Sequence, residues 1–514
     1  MAASTDRMRF HGEAHRDRYD VIVVGSGMGG LTTAAMLADA GRSVLVVERH
    51  DRLGGYAHAF RRGAYLFDSS VHMVGGCEQR GLVGQLLETL GVADRCQFTR
   101  LEPCYRAVFP GLDLAVPTGV DAFIDAHEAA FPGRAQGLRA LIARCRDIRS
   151  ELRTAAELPS HLDALGAPER FPTLTKYRRA TLAQLMEAHD VDPQLQAVFA
   201  TLWPFLGLPP GQVSFVYWAT MLLSYIEDGA YYCRGTFQRL ANVLGEAITE
   251  RNGEILLRSV VRRIRLDDGR VAGVILENGQ HIDAPVVVSN ADARQTAEEL
   301  VGATALPTRY MRTLRRLSPS VSAFVVYAAT DLDLAARGVS HESFVYSGWD
   351  HEAAQRRIGA EHPSWLTITV PTISDPSLAP AGEHLLILTT LIPNSATQRW
   401  SRDKAAEVQA MLTAAERHIP NLRKHVVFAE GATPRTMERY TRNTAGAIYG
   451  WAMSPQQIGP ARPSQRTPID GLYLAGHWTR PGGGIYGVVA SGVEAARTII
   501  GHASDVDRWK TLTA

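Results

Sequence analysis

Cysteine is scarce and unpatterned in this chain. The five, Cys77, Cys96, Cys104, Cys145 and Cys233, are odd in number, scattered and without CxxC spacing. That fits a reducing, cytoplasmic compartment and argues against a zinc or disulfide framework. Charge of one sign is missing too: 54 Lys and Arg stand against 53 Asp and Glu, a net +1. Nothing in that balance favours nucleic acid or an anionic lipid surface. No apolar run reaches the roughly 20 residues that span a bilayer. The nearest is Val213–Ile226, readable as a buried helix, or as one lining an apolar cavity or touching a membrane face. The N-terminus carries Arg7, Arg9, Arg16 and Arg18 but no apolar core segment. It is no secretory signal and reads as a loose tail. Internal repeats, a Ser/His/Asp order, HExxH, a P-loop lysine and metal-ligand spacing are all absent. If the chain is an enzyme, a cofactor carries the hard chemistry.

What is present is a large globular composition. Of 514 residues, 46% are apolar and 21% charged, enough for two or three structural units with a sizeable core. The strongest local pattern is Tyr19–Glu48. A short apolar strand, Tyr19–Val24, runs into Gly25-x-Gly27-x-x-Gly30. An alanine-rich helix follows to about Ala40, then a second strand, Ser43–Val47, and the acid Glu48.

Each part of this pattern has a physical role. Gly25 permits the tight turn, Gly27 lets a pyrophosphate approach bare backbone, and Gly30 lets helix and strand pack closely. The helix N-terminus offers unpaired N–H groups and partial positive charge to phosphates. Glu48 stands where a carboxylate takes a ribose 2′-hydroxyl. Such an acid repels a 2′-phosphate, although Arg49 weakens that argument. The Gly54-Gly55 doublet soon after adds bare backbone that folds back over a pyrophosphate, which favours FAD over NAD.

From about Gly81 to Tyr232 the α/β pattern stops. Helical periodicity covers Leu82–Leu90, Val120–Phe131, Gly137–Glu157 and Thr181–His189. Trp203-Pro204-Phe205 and Pro209-Pro210 break the helices. Gly235–Arg251 reads as a helix, and Glu254–Val288 as short strands with turns at Asp268-Gly269 and Asn278-Gly279. Pro285–Asp292 is an apolar strand suited to the middle of a doubly wound sheet. A second excursion, Ala303–Gln465, holds strands at Ser322–Ala329, Ser343–Ser347, Trp365–Val370 and Leu385–Leu391, with a helix near Arg402–His418. Gly471–Arg497 reads as strand, loop and a helix beginning near Ile485. The N-terminus of that helix is placed to stabilise negative charge on the pyrimidine end of a reduced flavin.

Taken together, Gly25–Gly30, Glu48, Gly54-Gly55, the Val286–Asp292 strand and the Leu474–Gly492 segment resemble the phytoene desaturase, carotenoid isomerase and retinol saturase group of the amine-oxidase-like FAD superfamily. Asp68-Ser-Ser-Val-His72-Met-Val-Gly75 is similar to the D-x-G-x-H-Y-x-G of the saturase and isomerase branch, with Ser70 for glycine and Met73 for tyrosine. Gly476-His477 departs from the usual Gly-Asp, and Tyr232-Cys-Arg-Gly235-Thr from Y-P-x-G-G.

The resemblance implies an α/β fold: a Rossmann-type FAD-binding domain (19–80, 235–302 and 466–503) with an inserted α+β substrate domain (81–234 and 303–465). It implies FAD held by Gly25, Gly27, Met28, Gly29, Gly30, Glu48, Arg49, Gly54, Gly55, Tyr56, Val261, Asn290, Gly476, His477, Gly484, Ile485 and Tyr486. It further implies desaturation or saturation of C–C bonds, by hydride transfer at flavin N5, in a long apolar polyene. A redox-neutral isomerase using reduced FAD and a flavin amine oxidase are the alternatives. His72, Tyr486, Tyr449 and Trp451 are the residues expected to shape the site or move protons in it. Peripheral membrane contact and an external electron donor or acceptor stay open.

Overall fold

The computed structural model describes residues 8–10, 13–156, 168–356, 363–393 and 404–501. Six strands form its central sheet: β1 (Met8–Phe10), β2 (Val21–Val24), β3 (Val44–Val47), β4 (Glu254–Leu257), β5 (Val286–Ser289) and β6 (Leu472–Leu474). All pair in parallel, in the order β1-β4-β3-β2-β5-β6. The strands read as unbroken apolar runs because both faces of the sheet are covered. Val21, Val23, Val44 and Val46 face a layer of three helices, α1 (Met28–Asp39), α2 (Phe237–Glu250) and α3 (Ile485–Ile500). Ile22, Val24, Leu45 and Val47 face a small antiparallel sheet made of Val261–Asp267, Arg270–Leu276 and His281–Asp283.

The N-terminal segment corrects one expectation. Rather than a loose tail, Met8–Phe10 lies on the sheet edge, paired with Ile255–Leu257. The edge of a parallel sheet leaves backbone donors and acceptors unpaired, and this segment takes them. Arg7 lies outside the described residues. Near Phe60, the chain forms a hairpin, Ala59–Arg62 with Tyr65–Asp68, turning at Gly63. The segment carrying His72 therefore begins only after Asp68.

A second sheet combines both excursions. Its seven strands run in the order Val426–Ala432, Ser322–Thr330, His384–Ile392, Trp365–Thr369, Glu342–Tyr346, Tyr105–Phe109 and Leu112–Val116. One face packs Phe324, Val326, Ile368, Leu386 and Leu388 on helix Lys404–Glu416 through Met411, Leu412 and Ala415. The cross-strand rows Val325–Thr389–Thr367–Phe344 and Tyr327–Ile387–Thr369–Glu342 make up the opposite face. Val325, Tyr327, Phe344 and Ile387 join the same core as the three helices, so this face is turned toward the central sheet.

Helix Phe215–Ile226 is buried along most of its length. Among the described residues, no helix is long and apolar enough to cross a membrane.

The two ends of the chain meet where α1 crosses α3. A Cβ on Gly492 would lie 2.5 Å from Gly29 O and 2.7 Å from Thr32 Cβ. The Thr33 hydroxyl donates toward both Gly29 O, at 2.9 Å, and Gly492 O, at 3.1 Å. Adding bulk here forces the helices apart. Gly492→Val should cost about 1–3 kcal/mol of stability as an overpacked contact, read as a fall in Tm; an unchanged Tm would contradict the close crossing.

Candidate functional site

The glycine turn owes its shape to local backbone needs. Gly25 has φ +91°, a conformation strained for any residue with a Cβ. Gly27 caps α1 without a side-chain hydrogen bond, and the first turn of the helix has no acidic residue. Its leading N–H groups are therefore free to take an anion from the cavity that Gly27, Met28 and Gly29 line. A Cβ on Gly27 would sit 2.5 Å from Asn290 Nδ2; on Gly30 it would meet Gly25 O at 2.4 Å. Gly27 and Gly29 thus hold space open beside Asn290, while Gly30 serves packing and does not line the cavity.

Glu48 closes the next part of the wall and is almost wholly buried. Its Oε2 accepts from Ser26 N–H at 2.8 Å and from the Ser26 hydroxyl at 2.7 Å. Oε1 accepts from His50 N–H at 2.7 Å. Both oxygens keep lone-pair capacity for hydroxyl donors. Gly54 donates its N–H to Ser26 O at 2.9 Å, and a Cβ on Gly55 would touch Gly27 Cα at 3.0 Å. The doublet therefore lies directly on the first glycine turn. Arg49 Nη1 is buried without a hydrogen-bond partner, although Nη2 donates to Arg439 O. A half-buried cation with an unused donor at this end suits a phosphate-bearing ligand.

These residues border one cavity of about 320 Å³. It also takes in Val261, Asn290, Tyr56, Gly476, His477, Gly484 and Ile485, then His72, Met73, Phe205 and Tyr225, and ends on the second sheet at Ala323, Val325, Trp365, Thr367, Thr389 and Leu391. The two chain ends and both excursions therefore contribute to one space. At its C-terminal side, α3 begins at Gly484 with no side-chain cap, leaving N–H groups free. Gly476 donates its N–H to the Ser491 hydroxyl at 3.0 Å.

His477 faces the cavity and is held by Asn443, whose Nδ2 lies 3.3 Å from its Nε2. The same Nδ2 donates to Ala447 O, and Asn443 Oδ1 accepts from Trp478 Nε1 at 2.9 Å. Burial, with Arg462 adding repulsion, pushes the His477 imidazole down to about 3. It is neutral at physiological pH, a hydrogen-bonding group without charge. Asn443 carried no signal in the sequence.

Three of the residues expected at the site stand elsewhere. Trp451 is fully buried behind the cavity, its Nε1 donating to Trp478 O at 2.8 Å. Its neighbour Tyr449 does line the cavity, with its hydroxyl donating to Pro204 O at 3.0 Å. Two residues apart in extended chain, the pair could share a face, but Gly450 at φ +70° turns them to different sides. Tyr486 also leaves the wall: its ring lies 3.0 Å from where a Gly76 Cβ would be. Gly30 is the third, as already noted. Conversely, Phe205 and Tyr225 line the cavity. The sequence marked Phe205 only as part of a helix break.

A cradle kept open by glycines, two uncapped helix N-termini, a buried acid and a guanidinium with one unused donor all fit a dinucleotide. Glu48→Ala should weaken FAD binding by about 10–100-fold, the worth of one charge-assisted hydrogen bond, measured by fluorescence titration of the apoprotein; unchanged affinity would remove Glu48 from the site. A pH test follows from the buried imidazoles. Burial pushes His58, His127 and His351 down to about 4, alongside His477. Unfolded, each titrates near about 6.5. The unfolded chain then binds more protons, so this contribution is complete above about pH 6.5 and is lost as pH falls toward 4. His127→Leu should therefore flatten the decline of Tm between pH 8 and pH 5; a parallel decline in both proteins would contradict the assignment.

The comparisons agree with this geometry. Residues 28–500 match the family described as flavin containing amine oxidoreductase. The chain is 27% identical over 505 residues to all-trans-retinol 13,14-reductase of Macaca fascicularis, covering 90% of this chain and 82% of that one. It is 27% identical over 511 residues to prolycopene isomerase 1 of an Oncidium hybrid cultivar, covering 94% and 84%. Among solved structures, an oxidoreductase from Methanosarcina mazei shares the fold with a TM-score of 0.67 at 21% identity, over 93% of this chain and 99% of that one. With its parallel sheet, glycine cradle and family match running together over nearly the whole chain, this protein belongs to the flavin-containing amine oxidoreductase family and is an FAD-dependent oxidoreductase.

Proposed function

We propose that this enzyme acts on C–C double bonds of a long apolar polyene. In this reading, 19–80, 235–302 and 466–503 hold FAD, while 81–234 and 303–465 shape the substrate cavity. One observation carries the proposal: the space beside the dinucleotide cradle opens on Val71, Met73, Phe205, Val325 and Leu391. No charged side chain stands on the sheet wall at Ala323, Val325, Trp365, Thr367, Thr389 and Leu391. Such a wall gains by taking apolar surface out of water and offers no counter-charge to an ammonium ion. The relatives named for retinol and prolycopene point to the same chemistry.

An amine substrate is poorly served. A cage of aromatic rings would favour one, but Trp451 sits outside the cavity and leaves Tyr449 without a second ring from that segment.

FAD, when bound, supplies two-electron transfer at N5. The chain's residues do the rest. The leading N–H groups of α1 and the acid Glu48 orient the dinucleotide. The uncapped N–H groups at Gly484 and Ile485 favour negative charge on the ring portion they face. Neutral His477 donates or accepts a hydrogen bond without adding charge. Phe205, Val325 and Leu391 exclude water from the reacting carbons. Tyr449 and His72 stand at the wall where a proton can be held; burial keeps the Tyr449 phenol protonated. A net redox cycle also needs an external electron donor or acceptor.

The test is anaerobic mixing of FAD-loaded protein with all-trans-retinol, phytoene or prolycopene. Bleaching of the oxidised flavin band identifies a desaturase. Stoichiometric use of reductant identifies a saturase. Turnover only after prior reduction, without consuming reductant, identifies an isomerase. Rapid bleaching by primary amines with inert polyenes would overturn the proposal.

A further inference from the structure

Beside the cavity lies a pair of ionisable groups that the sequence did not bring together. His72 is on the segment that follows Tyr65–Asp68, and Glu342 opens strand Glu342–Tyr346. His72 Nδ1 stands 3.4 Å from Glu342 Oε1. The histidine side chain is 8% exposed and the glutamate 0%. Neither facing atom has a hydrogen-bond partner, so the two stand opposite each other just beyond a formed bond. The second carboxylate oxygen, Oε2, accepts from the Thr369 hydroxyl at 2.7 Å. A buried carboxylate oxygen left unpaired is costly, and the imidazole Nδ1 is the group placed to satisfy it.

The ring is held in this orientation from behind. His72 O accepts from His341 Nε2 at 3.0 Å, and His341 Nδ1 in turn lies 2.8 Å from the Ser374 hydroxyl. Ser69 O accepts from the Tyr327 hydroxyl at 2.6 Å. His341 is thus a strut whose two nitrogens are both engaged, and burial keeps it neutral. His72 itself lines the cavity. Its Nε2 has no hydrogen bond among the described residues, which leaves it free for a ligand.

We propose that Glu342 is the positioning residue for His72: it fixes the imidazole proton on Nδ1 and leaves Nε2 as the proton-transfer atom at the cavity wall. This deepens the polyene reading and rests on it. The step assigned to His72 is a proton transfer alone. From the imidazolium, the Nε2–H bond breaks, and the π-electron pair of a substrate double bond forms a new C–H bond. The positive charge passes from imidazole to the neighbouring carbon. In the reverse direction a C–H bond breaks, its pair becomes the π bond, and Nε2 gains the proton. The companion two-electron transfer is the flavin's. Throughout, Glu342 faces Nδ1 and holds its proton, in the positioning role the triad carboxylate plays for its histidine.

The other titratable groups around the pair are Asp68, Cys104, Tyr225, His341 and Tyr449. Burial keeps Cys104, Tyr225 and Tyr449 protonated. Asp68 is pushed up to about 7 by burial, while it accepts from the Tyr232 hydroxyl and Phe237 N–H.

The experiment is ¹⁵N NMR of protein labelled at its 17 histidines, with the His72 pair assigned by its loss in His72→Gln. In the wild type at pH 8, His72 should be in the Nδ1–H tautomer with an unprotonated Nε2. Glu342→Leu removes the carboxyl that faces Nδ1; breaking a buried pair destabilises, so retained flavin absorbance is the check that the variant folds. The variant should mix the tautomers, keep flavin absorbance, and lower kcat on the polyene that is turned over by about 10²-fold, with KM unchanged. Wild-type His72 in the Nε2–H tautomer would overturn the inference. So would a Leu variant with unaltered tautomer and kcat. If the tautomer responds as described but no polyene reacts, the positioning role stands and the substrate reading fails.

Discussion

The structure depends on a close approach of backbones that only glycine permits. Gly29 in α1, Gly476 after β6 and Gly492 in α3 come from opposite ends of the chain. A Cβ on Gly29 would sit 2.7 Å from Gly476 N; on Gly476, 2.6 Å from Asn290 Oδ1. Because these positions are bare, the first and last parts of the sequence share one layer, and Asn290, just after β5, fits between them. The sheet order, with β5 between β2 and β6, follows from the same contact. Without it, the dinucleotide cradle would have one wall instead of two.

The second sheet turns that cradle into a reaction chamber. Its strands alternate with a period of two, so each presents one row of side chains to helix Lys404–Glu416 and another to the central core. On the core side, the rows run from Val325 to Phe344 and from Tyr327 to Glu342. The first row is apolar apart from two threonines, and it ends the cavity. The second carries Glu342, the buried acid 3.4 Å from His72 Nδ1. Apolar surface and proton chemistry thus sit on adjacent rows of one face.

Much of the nucleotide-binding half was legible in the sequence, because a strand buried on both faces is written as a continuous apolar run. Val21–Val24 and Val286–Ser289 could be read that way, and glycine spacing located the turn between Val24 and α1. The inserted half was legible only as separate elements. The helices and strands that were expected there lie within a few residues of their limits, strand Val426–Ala432 and helices Thr308–Arg316 and Pro434–Thr441 were not expected, and the pairing of Glu342 with Thr369, or of Thr367 with Thr389, is a long-range fact that no local pattern records. Trp451 misled for a related reason: it was expected to shape the site together with Tyr449, and the turn at Gly450 sends the two rings to different sides. Tyr486 misled because its ring packs against Gly76, a long-range contact that no local pattern records. Met8–Phe10 escaped notice because three residues without a strong pattern become a strand only where an open edge awaits them.

The central claim is that both chain ends enclose a single flavin whose reactive edge looks onto the apolar face of the second sheet. A crystal structure of the protein with FAD and a bound polyene measures this directly. The account predicts the dinucleotide between Gly27, Glu48 and Gly55 on one side and Gly476, His477 and Ile485 on the other, with polyene carbons against Val325 and Leu391. A flavin edge sealed by packed side chains, or a polyene bound away from that sheet, would contradict it.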